Sequence, residues 1–443
     1  MSPELASMVL LGFVVVGIIL GIPVAYVLCG IPLIFGFIFF GDRIFPMYVS
    51  MGYTMLRTYS LVCVPLFIFM GTLLERSGVA ENLYKTLFYV MGGVRGGLAI
   101  ITIIVGTIFG ACTGIVGASI VTIGLLALPS MLKYGYHKEL ACGPILCAGG
   151  LGLLIPPSLV MILYGSTAGL NIATLFVGGV GPGVLLAAIF IIYILIRVRF
   201  KPGMAPVIAP EERAGVTGLQ LTRMAATSVL PPVFLIFAVM GTLFLGIAGP
   251  SEAGAMGAIG SLIVCAIGRR LNWKVLKSAL LETLRINTFV LFIVLGGKMF
   301  QGVFMRLGGG DVISEALLGL PGGSFGIMIG ALVIVWIAGC FMDYLALIYI
   351  LAPILNPLMI QIGVNPIYFA CMFATALQIG NMTPPFAYSV FYLKGIAPPG
   401  ISIGDLYRAA IPFVILQTIG VVILLFVPKI ITWLPGLMGA AGV

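Results

Sequence analysis

The chain has 443 residues, of which 61% are apolar and only 8% charged, with a mean hydropathy of +1.25. A soluble domain carries about 25% charged residues, so a chain this poor in charge cannot cover a water-facing exterior and must meet lipid over most of it. The net charge of +9 does not point to nucleic acid: basic residues fall in short clusters between apolar segments, as in Arg197, Arg199 and Lys201 or Arg269, Arg270 and Lys274, where cytoplasmic loops collect them.

In chain order, apolar segments fall at 8–24, 27–41, 60–74, 98–131, 140–165, 174–196, 228–249, 253–268, 287–307, 324–360, 366–393 and 405–433. A stretch near 20 residues crosses a hydrocarbon core about 30 Å thick. The first segment lacks a basic lead and follows Glu4, so residues 1–25 read as a retained span rather than a cleaved signal peptide. Segments 98–131 and 324–360 are too long for one crossing and have Gly-rich or polar centres. Each fits a re-entrant helical hairpin. Arg95 precedes the first, and Lys133, His137 and Lys138 come after it, so both its ends read as cytoplasmic. Threading from the basic loop 197–223 opens the second hairpin to the opposite face and puts both termini outside. Arg43, Arg57 and Arg306 then fall on the outer side, against the trend. The eight cysteines (Cys29, Cys63, Cys112, Cys142, Cys147, Cys265, Cys340, Cys371) lie in apolar segments without a CxxC and read as small hydrophobes within helices.

A shift of 228 residues superimposes the two long segments, together with the loop and helix on the C-terminal side of each. Cys112 falls on Cys340, Ala111 on Gly339, Pro129 on Pro357, Gly135 on Gly363, Ala148 on Ala376, Gly152 on Gly380, and Tyr164 on Tyr392. Pro156–Pro157 falls on Pro384–Pro385, and the prolines carry most of the weight. With the hairpins opening to opposite faces the repeats are inverted, an architecture of secondary transporters with broken helices at the midplane.

Each repeat sets its Pro-Pro inside an apolar segment, LIPPS at 154–158 and GNMTPPF at 380–386. Two prolines after an upstream Gly should unwind the helix. Unwound backbone is tolerated at membrane depth only where protein or a solvated cavity receives it. Its free carbonyls suit Na⁺, and half-helix N-termini suit an anion; the bland alternative is a packing kink without a ligand. The first hairpin turn, GACTGIVGAS at 110–119, brings Thr113 and Ser119 among glycines, and the second reads AGCFMD at 338–343. Those glycines serve either close approach to a ligand or close helix packing.

Asp343 is the acidic residue that lies inside an apolar hairpin. Ion binding is the favoured role for such a carboxylate; an N-cap on the second arm and a structural pair with a cation are the others. Lys298 sits near the middle of segment 287–307, snorkelling, pairing with Asp343 or meeting an anionic substrate. With one histidine, His137, no His-based triad or HExxH site is available, and no GxxxxGK[ST] loop appears. An enzyme is not expected.

Six stretches resemble the large membrane subunit of tripartite ATP-independent periplasmic (TRAP) transporters: CVPLFIFMGTLLERSG (63–78), GACTGIVGASIVTIG (110–124), AGGLGLLIPPSLVMILYG (148–165), GPSEAGAMGA (249–258), GCFMDYLALIYILAPILNP (339–357) and NMTPPFAYSVFYLKG (381–395). The resemblance spans essentially the whole chain. It implies a Na⁺-coupled importer of organic acids, a C4-dicarboxylate or related carboxylate, working by an elevator movement in the cytoplasmic membrane of a bacterium or archaeon. A separate small four-helix membrane subunit would complete the scaffold, and a periplasmic binding protein would deliver substrate. By analogy one Na⁺ would lie near Thr113, Ser119, Gly150 and Pro156 and a second near Gly339, Asp343, Gly380 and Thr383. Substrate would sit between the hairpin turns and the broken helices, near Ser158, Asn381, Gly114 and Gly117.

The expected fold is an all-α integral membrane protein of inverted repeats, with two re-entrant hairpins and two broken helices. Its parts would be scaffold helices and an arm over 1–97, hairpin and broken helix over 98–165, scaffold over 166–323 with a cytoplasmic loop at 197–227, the second hairpin and broken helix over 324–395, and a C-terminal helix over 396–443. The rival readings are a stand-alone divalent-anion or ion-exchanger type of transporter needing no binding protein, and a channel or structural scaffold.

Overall fold

The computed structural model describes residues 2–213 and 218–441, so part of the 197–227 loop lies outside the described residues. Its regular structure is helical throughout those residues. The first half comprises α1 (Pro3–Ile19), α2 (Val24–Phe40), α3 (Ile44–Leu56), α4 (Cys63–Arg76), α5 (Val79–Met91), the hairpin α6 (Gly97–Thr113) and α7 (Val116–Lys133), then α8 (Lys138–Gly150), α9 (Leu159–Ala168), α10 (Ile172–Phe200) and the short α11 (Pro210–Arg213). The second comprises α12 (Gly218–Phe244), α13 (Pro250–Ile267), α14 (Trp273–Arg306), α15 (Gly309–Leu318), the hairpin α16 (Gly323–Gly339) and α17 (Tyr344–Gln361), then α18 (Pro366–Gly380), α19 (Tyr388–Ile396), α20 (Ile403–Phe426) and α21 (Lys429–Ala441).

Among the described residues nine helical stretches are long and apolar enough to cross a bilayer. Their outer faces keep large apolar side chains in the open: Phe234 and Phe237 are 68% and 71% exposed, and Ile411, Ile415 and Ile419 run down one face of α20. A monomeric soluble protein does not leave so much contiguous apolar surface wet. Lipid covers it.

The 228-residue register extends beyond the hairpins: α1 falls on α12, α2 on α13, α5 on α15 and α10 on α20. One element differs, since α3 and α4 are separated by a short turn (Tyr59–Val62) whereas their counterparts are fused into α14. Packing obeys the same exchange. α4 lies on α13 as α14 lies on α2, α8 on α20 as α18 on α10, and α7 on α19 as α17 on α9.

The ends of α20 show which way each hairpin opens. At its start, the Asp405 carboxylate meets Lys138 Nζ at 3.0 Å, just beyond the foot of the first hairpin. At its finish, Leu424 O accepts from the Tyr368 hydroxyl at 3.1 Å and Phe426 packs on Phe325, beside the foot of the second. A 24-residue helix separates those ends by about 36 Å. The hairpins therefore open at opposite ends of the molecule.

One expectation needs correction. The single C-terminal helix over 396–443 is two helices, α20 and α21, because Val427 leaves helical geometry before Pro428. The short helices α3, α5 and α15 fall between the apolar segments, too brief to register as crossings. α5 shows why they form: Ala80, Leu83 and Tyr84 bury one face, while Glu81 and Lys85 pair at 2.6 Å on the other.

Candidate functional site

The first hairpin turns at Gly114, whose φ of 62° is open to glycine without a Cβ clash. There the Thr113 and Ser119 hydroxyls lie 2.8 Å apart, both buried. α8 stops at Gly150, a short 3-10 turn covers Leu151–Leu153, and α-helix resumes only at Leu159, because Pro156 and Pro157 offer no N–H to continue the ladder. Ser158 caps the new start, accepting from Met161 N at 3.4 Å and donating to Leu153 O at 2.5 Å. The hairpin tip rests on this break. A Cβ on Gly114 would lie 3.0 Å from Pro157 O, and one on Gly152 would lie 2.7 Å from Gly110 O. Neither Pro156 nor Pro157 O accepts a hydrogen bond among the described residues.

The second repeat builds the same seat. α18 stops at Gly380 and α19 begins at Tyr388, after Ala387 takes the left-handed φ of 43°. A Cβ on Gly380 would stand 2.7 Å from Gly339 Cα, so the two backbones touch as they do at Gly110 and Gly152. Phe386 N donates to Cys340 O at 3.1 Å, tying the tip to the break. Trp336 Nε1 donates to the Thr383 hydroxyl at 3.2 Å, which donates in turn to Ile379 O at 2.7 Å. Both Pro-Pro bonds are cis. The halves differ in enclosure, since Pro156 and Pro157 are buried while Pro384 and Pro385 are exposed.

Asp343 caps α17, with Oδ1 accepting from Leu345 N at 2.9 Å. Lys298 is not its partner: no ion pair within 4.0 Å joins Lys298 to any described carboxylate, and its side chain lines a cleft between α14 and α3. His137 caps α8.

The repeats meet where their equivalent positions touch. Gly150 and Gln378 stand in register, and a Cβ on Gly150 would lie 2.8 Å from Gln378 Nε2, itself 3.5 Å from Cys147 O. Tyr392 packs on Gly117, and the Tyr164 hydroxyl donates to Asn356 Oδ1 at 3.5 Å. Among the described residues the buried oxygens Gln378 Oε1, Asn381 Oδ1 and Ser389 Oγ have no partner, and Ser389 N donates to Asn381 O at 3.1 Å. Buried oxygens of this kind are costly unless something completes them. Gly114, Ser158 and Pro156 are thus gathered at one tip, and Gly339, Gly380 and Thr383 at the other, with Asn381 between the second break and α19.

Sequence reading missed Gln378, Ser389, Trp336 and Glu75, whose carboxylate accepts from the Thr122 hydroxyl at 2.9 Å. Gln378 carried a signal, its register with Gly150; Glu75 lay just past the end of an apolar segment and carried none. Among the described residues no three His, Cys, Asp or Glu side chains group as metal ligands. What these breaks offer is hydroxyl and carbonyl oxygen, a donor set for a hard cation rather than a transition metal.

A family model described as the DctM component of tripartite ATP-independent periplasmic transporters matches residues 11–430. The C4-dicarboxylate TRAP transporter large permease protein DctM of Vibrio cholerae is 29% identical over 401 residues, 86% of each chain. An ectoine/5-hydroxyectoine TRAP transporter large permease protein from Ruegeria pomeroyi is 32% identical over 386 residues, again 86% of each. Among solved structures, the YdaH transporter of Alcanivorax borkumensis aligns with a TM-score of 0.63 over 89% of this chain and 90% of that one. At 15% identity that is a likeness of fold.

Proposed function

The chain belongs to the DctM family of TRAP transporter large permeases, a multi-pass inner-membrane transport protein and not an enzyme, and on that premise we propose that it imports a small organic acid together with Na⁺. The observation that carries the proposal is the seating of each hairpin tip on the proline break of its own repeat, twice over and in opposite senses. Na⁺ would be held by the Thr113 and Ser119 hydroxyls with backbone oxygens near Gly150 and Pro156, and by oxygens near Gly339, Asp343, Gly380 and Thr383. The acid would lie between the tips, near Gly114, Gly117, Ser158 and Asn381. A four-helix membrane subunit and a periplasmic binding protein would complete the tripartite assembly, and a C4-dicarboxylate is the first solute to try.

An elevator movement is supported by a mismatch between the halves. In the second, Tyr349 of α17 backs onto Gly297 of α14; in the first, Thr122 of α7 meets Glu75 of α4. In repeat register Glu75 corresponds to Val303, so the two hairpin arms sit about five residues apart on equivalent scaffold helices, or ~8 Å. Exchanging the two registers would carry the paired hairpins along the scaffold by that distance.

Coupling requires that cation and acid each raise the other's affinity. We expect NaCl, but not KCl, to raise the melting temperature of the purified transporter, and the stabilisation by the carboxylate to appear only with Na⁺ present. Equal effects of the two salts would reject the coupling.

A further inference from the structure

Lys298 lies eight residues before the end of α14, ~12 Å along its axis from Arg306. Its neighbours fix where it faces. Gly296 packs on Leu28 of α2 and Gly297 on Tyr349 of α17, so Lys298 takes the remaining side, toward α3. There α3 is drawn against α14 at Gly302, where Met51 takes the space a side chain would need. Beside that crossing opens a cleft of about 370 Å³ into which Lys298, Arg306, Gln301, Ser50 and Thr54 face.

Two cations share this cleft with no counter-ion: no described carboxylate lies within 4.0 Å of Lys298 or Arg306. The Thr54 hydroxyl is already spent on Ser50 O at 2.8 Å, which leaves the Ser50 hydroxyl and the Gln301 amide as further donors. Along the outer face of α3, Phe45, Val49, Tyr53 and Leu56 are 51%, 74%, 61% and 80% exposed, an apolar track running past the cleft. Arg57 lies over the Tyr53 ring at 5.3 Å. The cations are also absent from the other repeat, where Met70 and Gly78 hold the equivalent positions and Met70 packs on Gly257 of α13. They are therefore no part of the duplicated machinery that seats the hairpin tips.

We infer that the α3–α14 cleft binds the phosphodiester headgroup of an anionic phospholipid, with its acyl chains lying on the apolar face of α3. A lysine below the end of a membrane helix snorkels toward the headgroup layer, and a second basic side chain at the helix end supplies the other half of a phosphate cradle. Charge complementarity calls for an anion, and the adjoining apolar track favours one that carries its own hydrocarbon over a free ion.

Native mass spectrometry of the transporter purified with its membrane subunit, stripped of lipid and then titrated with phosphatidylglycerol, phosphatidylethanolamine or inorganic phosphate tests this. The complex should retain phosphatidylglycerol at least about tenfold more tightly than phosphatidylethanolamine, and Lys298→Met with Arg306→Met should abolish the difference while Lys298→Arg preserves it. Should the double variant fail to assemble, Ser50→Glu, which sets a carboxylate in the cleft from an exposed position, should displace the lipid equally. Undiminished selectivity in these variants would overturn the assignment. So would saturation by phosphate alone, which marks a soluble-ion site, or a cross-link from Thr54→Cys to an acidic segment of the membrane subunit.

Discussion

Asp343 caps a helix and is also a proposed Na⁺ ligand. Its Oδ1 caps α17 through Leu345 N, a local bond that any short acceptor could make. Asn caps helices about as well as Asp but carries no charge, so Asp343→Asn separates the roles. It should fold and assemble with an unchanged melting temperature, yet require at least about tenfold more Na⁺ for half-maximal uptake, ~1.4 kcal/mol of lost cation binding. An unchanged Na⁺ requirement would reduce Asp343 to a cap. Gly380 carries a different prediction. Its Cα faces Gly339 so closely that the added methyl of Gly380→Ala must push two backbones apart, and overpacking of this kind costs about 1–3 kcal/mol. A lowered melting temperature with weakened uptake is expected, while full stability would mean that the tip is not seated where the structure places it. Glycines were legible as close-packing or ligand-approach residues; that the crossing in each repeat is backbone on backbone was not, because nothing in a glycine names its opposite.

At the scale of elements, the hairpins and the proline breaks were readable because their signals are composition and chemistry: segments too long for one crossing, and paired prolines that cannot continue a helix. The short α3, α5 and α15 carried no such signal, and the boundary between α20 and α21 rests on a single turn before Pro428. The roles of Lys298 and Glu75 were hidden for a related reason, since each depends on which neighbouring helix the side chain faces. Packing between elements also yields the sharpest mechanical prediction. Phe69 and Val121 are the repeat counterparts of Gly297 and Tyr349, which touch. In a background freed of the native thiols, Phe69→Cys with Val121→Cys should cross-link only when Na⁺ and substrate let the carrier cycle, and Gly297→Cys with Tyr349→Cys should trap the opposite state. Cross-linking of both pairs to the same extent under all conditions would rule out a sliding hairpin.

For the molecule as a whole, the internal repeat supplied most of what could be known in advance. One register of 228 residues pairs the two hairpins and the two breaks, and it also orders the exchange of contacts between α4, α13, α14 and α2 that no single segment reveals. Composition placed the chain in a membrane, and membership of the DctM family makes it a transport protein. The central claim is that Na⁺ moving down its gradient drives an organic acid inward through this chain. Uptake of a radiolabelled C4-dicarboxylate into proteoliposomes holding the chain with its membrane subunit, supplied with the cognate binding protein, tests it most directly. Accumulation above the outside concentration under an inward Na⁺ gradient, abolished when K⁺ replaces Na⁺, is the predicted result; accumulation that proceeds equally without any Na⁺ would contradict it.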